Sequence, residues 1–103
     1  MNIFEITKKF PKDELYSLTS QIRRSSRAIC SNFAEAYARR KYPAHFLSKL
    51  SDADAENLET QVWLDFSLAC KYISDFEYQT LTDKREEVGR LLGDLINNPE
   101  KYS

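Results

Sequence analysis

The side chains best suited to catalysis or metal binding are few and widely spaced in this sequence. The chain holds one histidine, His45, and nothing places a serine or cysteine nucleophile beside it with an orienting acid. Metal sites in helical bundles use Glu-x-x-His on two helices, but Tyr42 stands three residues before His45 and no second histidine exists. No glycine-rich phosphate-binding loop is present. The sequence therefore predicts that the protein is not an enzyme and has no catalytic residue, metal site or cofactor.

Three acidic residues are the remaining candidates for chemistry. Asp52, Glu56 and Glu59 are spaced by four and three residues, so they share one face of a helix. Such a row can bind a cation or supply acid and base groups, but it is more often solvated or paired with arginine. Trp63 follows at the next turn, and aromatic residues of this kind are enriched at interfaces. We therefore predict that this row belongs to a contact surface.

Cysteine content and hydropathy give expectations about location. Cys30 and Cys70 both lie in stretches with helical periodicity, and two cysteines cannot complete a zinc site. The first residues do not resemble a signal peptide, so we expect reduced thiols and no disulfide. No apolar run approaches the ~18 residues that a membrane span needs. We therefore expect a cytoplasmic protein with no membrane segment and no small-molecule substrate.

Basic residues are concentrated in the first half of the chain. Residues 1–50 carry ten Lys or Arg and four Asp or Glu, whereas residues 51–103 carry five and twelve, although the net charge is only −1. This asymmetry is typical of a nucleic-acid-binding face or of basic helices packed beside acidic ones, and the second arrangement is commoner. The basic clusters, one on the flank of a predicted helix and one at the corner after it, are Arg23, Arg24 and Arg27, and Arg39, Arg40 and Lys41.

Helix-breaking residues are rare in this sequence. Only two Gly and three Pro occur in 103 residues, whereas sheets need frequent turns, so we predict an all-α fold. The length allows a single domain, residues 1–103, with one modest core. Apolar periodicity places four helices at about residues 2–10, 15–39, 44–72 and 75–97, with Leu18 as the alternative start of the second.

Local signals mark the ends of these helices. Pro11 stops the first helix, because the residue before a proline is displaced from the α region. Pro43 suits the first turn of the third helix. Ser74 and Glu77 form a capping box at the start of the fourth helix. The predicted apolar face of the second helix consists of Leu15, Leu18, Ile22, Ser26, Ile29, Phe33 and Tyr37, and that of the fourth consists of Tyr78, Leu81, Val88, Leu92 and Leu95.

The third predicted helix has two apolar stripes, where a monomeric bundle needs only one. We predict that this helix is surrounded, either as the central helix of a compact monomer or because a neighbouring subunit covers the second stripe. In the fourth helix Gly89 and Gly93 each cost about 1 kcal/mol relative to Ala, and close approach of another helix would offset this cost. The predicted subunit interface comprises Val62, Trp63, Phe66, Gly89 and Gly93. The first stripe consists of Phe46, Leu50, Ala53, Leu64 and Leu68, and the second of Ala55, Leu58, Val62, Phe66, Ala69 and Ile73.

Several motifs taken together resemble those of one protein family. They are FPKDE at residues 10–14, LTSQIRRS at 18–25, SNFAEAYAR at 31–39, NLETQ at 57–61 and EVGRLL at 87–92. Over nearly the whole chain, these motifs are similar to those of the four-helix bundle proteins encoded in 23S ribosomal RNA intervening sequences. The chain also resembles, more distantly, the accessory variability proteins of retroelements.

This resemblance implies an up-and-down four-helix bundle that assembles into a homopentamer. The retroelement branch implies binding to nucleic acid and a reverse transcriptase, but that branch is strongly basic, whereas the pI of this chain is about 5.8. The family's first helix is usually about twice as long, so we predict a shortened first helix with a groove beside it. The resemblance implies no settled biochemical activity.

Two functions are consistent with these features. The first is a non-enzymatic homo-oligomeric scaffold that binds RNA or DNA through the two basic clusters. The alternative is a protein–protein interaction adaptor with no nucleic-acid role, in which a partner helix occupies the groove. In a purely structural interpretation, the arginines pair with Asp52, Glu56 and Glu59 of a neighbouring helix or subunit, which leaves no free basic surface.

Overall fold

Four α-helices and two short 3₁₀ helices make up the part of the chain that the computed structural model describes, residues 2–101. No strand occurs in these residues, which confirms the predicted all-α bundle. The α-helices are α1 (Ile3–Thr7), α2 (Leu18–Ala38), α3 (Pro43–Ala69) and α4 (Asp75–Asn97), and the 3₁₀ helices are Lys12–Glu14 and Pro99–Lys101.

α1 is shorter than the helix predicted at residues 2–10. It begins after Asn2, whose side-chain oxygen accepts a hydrogen bond from the backbone N–H of Glu5 (2.8 Å). Beyond Thr7 the backbone N–H groups bond three residues back rather than four, and that of Phe10 donates to the carbonyl oxygen of Thr7 (3.1 Å). Because Pro11 excludes its predecessor from the α region, the chain tightens into this turn before it reaches the proline.

α2 begins at Leu18, the later of the two predicted starts. In the preceding segment the hydroxyl of Ser17 donates to the carboxylate of Glu14 (2.5 Å) instead of capping the helix. The hydroxyl of Tyr72 donates to the same carboxylate (2.8 Å), which raises the pKa of Tyr72 to about 12. Glu14 is thus held between the residues before α2 and those after α3, and this fixes the segment outside the helix.

α3 ends at Ala69, three residues before the predicted end. Lys71 adopts a left-handed conformation (φ 61°), and the N–H of Tyr72 donates to the carbonyl oxygen of Ser67 (2.9 Å). This bond and the left-handed residue are the features of a Schellman motif. The chain then turns inward, so Ile73, which the periodicity assigns to the second stripe of α3, is buried in the core instead.

Replacement of Lys71 with glycine is expected to stabilise the fold by about 0.5–1 kcal/mol. The left-handed conformation costs a residue with a Cβ roughly 1–2 kcal/mol. The larger entropy of glycine in the unfolded chain, roughly 0.5–1 kcal/mol, cancels part of that gain. Urea unfolding measures the change, and Lys71→Ala is the control because it removes the same charge but keeps the Cβ. Equal stability of the two variants would contradict the strain that we assign to Lys71.

α3 is the central helix of the fold. It packs against both α2 and α4, which contact each other little, and the molecule is elongated, with principal extents of 44 × 24 × 18 Å. The buried residues of α3 recur at alternating intervals of three and four, the spacing that keeps one helix face toward its neighbours. They are Phe46, Leu50, Ala53, Asn57, Thr60, Leu64 and Ser67.

Two clusters of buried apolar side chains form the core, one toward each end of α3. The polar residues Asn57 and Thr60 lie between them on the buried face of α3. The cluster beside α1 contains Ile6, Phe10, Leu18, Ile22, Leu64, Ile73 and Leu81, and the other contains Ala36, Phe46, Leu50, Ala53, Leu92 and Leu95.

α4 has the capping box and the buried seam that the sequence predicts. The N–H of Glu77 donates to Ser74 Oγ (3.0 Å), and the N–H of Ser74 donates to Glu77 Oε1 (2.9 Å). Along the seam Leu81, Leu92 and Leu95 are buried. The helix therefore presents to α3 the face that its periodicity indicates.

The buried face of α2 agrees with the predicted one at Leu18 and Ile22 but departs from it along the rest of the helix. Ser25 and Ala36 are buried, and the hydroxyls of Ser25 and Thr60 on α3 are hydrogen-bonded to each other (2.9 Å). These short side chains are buried where the periodicity predicts bulkier ones, three of which are exposed instead. The predicted residues that are exposed are Leu15, Phe33 and Tyr37.

Candidate functional site

Arg24 is paired with acidic residues of the adjacent helix. Its guanidinium nitrogens lie 3.2 Å from Glu56 Oε2 and 2.7 Å from Glu59 Oε1 on α3. The hydrogen bond from Arg24 is the main cause of a lowered pKa at Glu59. Oδ2 of Asp52, the third member of the acidic row, lies 3.9 Å from Nζ of Lys49 on the same helix. Arg24 therefore joins α2 to α3, as the structural interpretation of the arginines predicts.

Arg23 and Arg27 have no acidic partner within ion-pair distance among residues 2–101. Arg23 Nε donates to Thr7 Oγ1 (2.8 Å), and its guanidinium carbon lies 4.5 Å from the centre of the Phe4 ring. The guanidinium carbon of Arg27 lies 5.9 Å from the same ring. Contacts with a hydroxyl and an aromatic ring orient these side chains without neutralising them. Both charges thus remain available to a phosphate group.

A shallow basic depression on the outer face of α2 brings these arginines beside an exposed aromatic ring. Its volume is about 580 Å³, and the side chain of Tyr16 is 92% exposed. Such a ring can stack on a nucleic-acid base while neighbouring arginines bind phosphates. Periodicity could not single out Tyr16, because it lies in the irregular segment before α2. The depression is lined by Leu15, Tyr16, Ser20, Arg23, Arg24 and Arg27, together with two small residues of α2.

The second basic cluster lies at the end of α2. The guanidinium carbon of Arg40 lies 4.2 Å from the centre of the Tyr37 ring, and Arg39 and Lys41 are exposed. In the described part of the chain, none of these three cations has an acidic partner. The distance from Arg27 to Arg39 along the helix is about 18 Å. The two clusters are therefore separate basic patches, one on α2 and one on the corner that follows it.

The second apolar stripe of α3 is exposed. Leu58, Val62 and Phe66 are 57%, 46% and 54% exposed. Trp63 is half-buried against the core cluster beside α1, and its ring centre lies 5.9 Å from that of Phe66. The single subunit thus leaves Val62 and Phe66 uncovered. The α3 stripe, as the exposed surface is named below, consists of Ala55, Leu58, Val62, Phe66 and Ala69.

Gly89 and Gly93 have different surroundings. A Cβ on Gly89 would lie 3.2 Å from Nδ2 of Asn57, whereas a Cβ on Gly93 would meet nothing within 4 Å. The same Nδ2 donates to the carbonyl oxygen of Arg85 (3.1 Å), and Oδ1 of Asn57 has no hydrogen-bond partner among the described residues. Gly89 therefore allows α4 to approach Asn57 within one chain. Gly93 borders open space.

An apolar groove of about 400 Å³ lies between α2 and α4 beside the start of α1, with α3 as its floor. It occurs where a groove was predicted, because α1 spans only five residues and leaves the rest of this channel uncovered. The charged residues that line it, Lys84 and Arg85, are both basic. This surface is named the α1 groove below. Its floor consists of Asn57, Thr60 and Leu64, and its walls include Ile3, Phe4, Ile29, Leu81 and Val88.

The remaining candidate residues are dispersed over the structure. Within residues 2–101, no group of three or more His, Cys, Asp and Glu side chains is placed to hold a metal ion. His45 packs edge-on against Tyr42, with 6.3 Å between ring centres. Cys30 and Cys70 are exposed free thiols. None of the described helices combines the length and the apolar character that a membrane crossing requires.

Comparison with known proteins places the chain in a family. Residues 1–94 match the 23S rRNA-intervening sequence protein family. A crystal structure from Bacteroides thetaiotaomicron VPI-5482, described as a protein with unknown function from the S23 ribosomal protein family, is 28% identical with a TM-score of 0.83, and the match covers 92% of this chain and 85% of that chain. No curated protein matches the chain. Since the family match covers nearly the whole sequence, the chain belongs to the 23S rRNA-intervening sequence protein family.

Proposed function

We propose that this protein is a non-enzymatic scaffold that self-associates and binds nucleic acid through the basic patch on α2 and the one on the corner that follows it. One observation carries the nucleic-acid role: five of the six predicted basic residues have no acidic partner among residues 2–101. The first patch also has the exposed ring of Tyr16 beside Arg23 and Arg27. Unpaired cations next to a free aromatic ring are the groups that bind phosphates and stack on bases.

The charge distribution supports binding on one side of the molecule. Residues 51–103, which include most of α3 and all of α4, carry twelve acidic and five basic residues, so they repel a polyanion. The basic patches lie on α2 and on the corner that follows it. A nucleic acid is therefore directed to the outer face of α2, although the chain as a whole has a net charge of −1.

The α3 stripe supports self-association. Monomeric proteins rarely expose large contiguous apolar patches, and a patch of large apolar side chains in a row marks an interaction site. Association through this stripe would bring several copies of the basic patches into one particle. Linked weak sites bind an extended ligand far more tightly than one site does, so a modest affinity per subunit suffices.

A triple variant, with Arg27, Arg39 and Lys41 each changed to alanine, is expected to bind a structured RNA about tenfold more weakly, or weaker still, at low salt. Each lost phosphate contact also removes about 0.7–0.9 from the slope of log affinity against log salt, so the slope should fall by roughly 2. Fluorescence anisotropy of a labelled RNA hairpin at several salt concentrations gives both quantities.

Arg90→Ala is the matched control, because Arg90 is an exposed arginine on α4, away from both patches. This variant should retain the affinity and the salt slope of the native protein. Absence of RNA binding by the native protein, or binding that does not respond to salt, would rule out the nucleic-acid role. The adaptor function would then take its place.

A further inference from the structure

Two apolar surfaces of this chain are uncovered, and their charged borders have opposite sign. The α3 stripe runs along a helix that has no Lys or Arg from Leu50 to Ala69 and that carries Asp54 and Asp65 along one side of the stripe. The charged residues that line the α1 groove, Lys84 and Arg85, are basic. The stripe is therefore an apolar helix face with an acidic border. The groove is an apolar channel with a basic border, which suits it to bind a helix face of that kind.

The stripe and the groove lie on opposite sides of α3. Asn57, Thr60 and Leu64 of α3 form the floor of the groove. At about 100° per residue, the line through Leu58 and Phe66 is about half a turn around α3 from this floor. A stripe so placed cannot reach the groove of its own chain. Only a second molecule can bring the two surfaces together.

The dimensions of the two surfaces agree. Leu58 and Phe66 are eight residues apart, which is about 12 Å along α3. The wall of the groove from Leu81 to Val88 runs about 10 Å along α4. The groove wall is thus similar in length to the two helical turns that carry the large side chains of the stripe.

We infer that the α3 stripe of one copy docks into the α1 groove of the next copy. The contact joins two different surfaces, so an open row of copies keeps one free stripe at one end and one free groove at the other until it closes on itself as a ring. Leu58, Val62 and Phe66 fill the apolar channel that the five-residue α1 leaves open, and Asp54 and Asp65 face the basic rim. This inference rests on the self-association proposed above and identifies the surface that receives the stripe.

Two variants that each destroy one surface test the inference by complementation. Phe66→Glu places a charge in the stripe, and Ile29→Glu places one in the groove. Each variant alone is expected to have the mass of one chain by light scattering, at concentrations where the native protein assembles. An equimolar mixture is expected to form a dimer of one copy of each variant that does not grow further, because a single intact stripe and a single intact groove remain to pair.

Two more variants keep the test interpretable if a substitution prevents folding. Ile29 is half-buried, so the exposed rim variant Lys84→Glu replaces Ile29→Glu if circular dichroism shows that the latter is unfolded. With Lys84→Glu, the association constant is expected to fall at least tenfold, with recovery when Phe66→Glu is added. Leu91→Glu changes an exposed leucine of α4 outside both surfaces, and it should assemble like the native protein.

The outcomes separate this inference from the proposed function. A native protein that stays monomeric at high concentration would rule out self-association itself. A native protein that assembles, with groove variants that assemble equally well, would overturn the docking of stripe into groove and leave stripe-to-stripe association in its place. A mixture of two monomeric variants that forms no dimer would overturn it as well.

Discussion

Replacing Leu50 with alanine is expected to reduce the free energy of unfolding by about 2–5 kcal/mol. Leu50 is 0% exposed and belongs to the core cluster that joins α2, α3 and α4. Truncation removes the transfer free energy of the buried methyl groups and leaves a cavity that the surrounding helices fill only in part. Since small domains are typically stable by about 5–15 kcal/mol, this change removes a large share of the total.

Leu58→Ala is the matched control for Leu50→Ala. The two leucines are eight residues apart on α3, but Leu58 lies on the exposed stripe. In dilute protein its truncation should change the stability by less than about 0.5 kcal/mol. Urea unfolding monitored by circular dichroism, at a concentration where the native chain is monomeric, compares the two. Losses of similar size at the two positions would contradict the assignment of one buried and one exposed face to α3.

Asn57→Asp is expected to destabilise the protein by about 3–5 kcal/mol at neutral pH. Asn57 is buried in the middle of α3, its Nδ2 donates to the carbonyl oxygen of Arg85, and its Oδ1 has no partner among the described residues. An aspartate carboxylate at position 57 would lie against the carbonyl oxygen of Arg85 and would find no hydrogen-bond donor among the described residues. Burial and the repulsion between these oxygens therefore both disfavour the charged form. The aspartate pKa is therefore raised in the folded state.

The pH dependence of this variant has a definite sign. A raised pKa in the folded protein means that the penalty is small below the unfolded pKa of about 3.9, where the group is protonated in both states. The penalty then grows as the pH rises toward the folded pKa. Unfolding measured from acid to neutral pH should show Asn57→Asp losing stability relative to the native protein over this interval. A constant difference across the range would contradict the buried charge.

Asn57→Leu separates the effect of charge from that of shape. Leucine has a similar shape but brings no polar atom, so it removes the unpaired Oδ1 together with the hydrogen bond to Arg85. These two changes oppose each other, and the variant should remain within about 1 kcal/mol of the native protein. A loss as large as that of Asn57→Asp would show that the hydrogen bond, and not the introduced charge, governs this position.

Features set by short-range signals could be predicted from the sequence. The capping box at Ser74 and Glu77 and the start of α3 at Pro43 depend on residues within one helical turn, and both occur as expected. The two faces of α3 followed from its apolar spacing alone, since Leu50 and Leu64 are buried while Val62 and Phe66 are exposed. Spacing alone left open whether a neighbouring copy covers the second face.

Features set by the distance between helices could not be predicted. The buried face of α2 includes Ser25 and Ala36, which carry no apolar signal strong enough to compete with Phe33 and Tyr37. The turn after Ala69 uses a lysine where glycine is the usual signal, so the end of α3 was placed three residues too late.

The sequence also could not predict the different roles of the basic residues. Arg24 and Arg27 are one turn apart on the same flank of α2, but only Arg24 reaches the acidic residues of α3. This difference depends on the rotation of α2 about its own axis, which the side chains at the helix contact determine. The sequence could predict a basic flank, but not which of its members was neutralised.

The order of the helix contacts also has a consequence for how quickly the chain folds. The main contacts of α3 are with α2 and α4, its neighbours along the sequence, and residues 39–42 and 70–74 are all that connects them. Little chain entropy is lost in closing such short connections, and proteins dominated by local contacts fold in microseconds to milliseconds. The ion pair between Lys9 and Glu77, 68 residues apart, is an exception and would form late. Newly made chains would thus reach the native topology soon after synthesis.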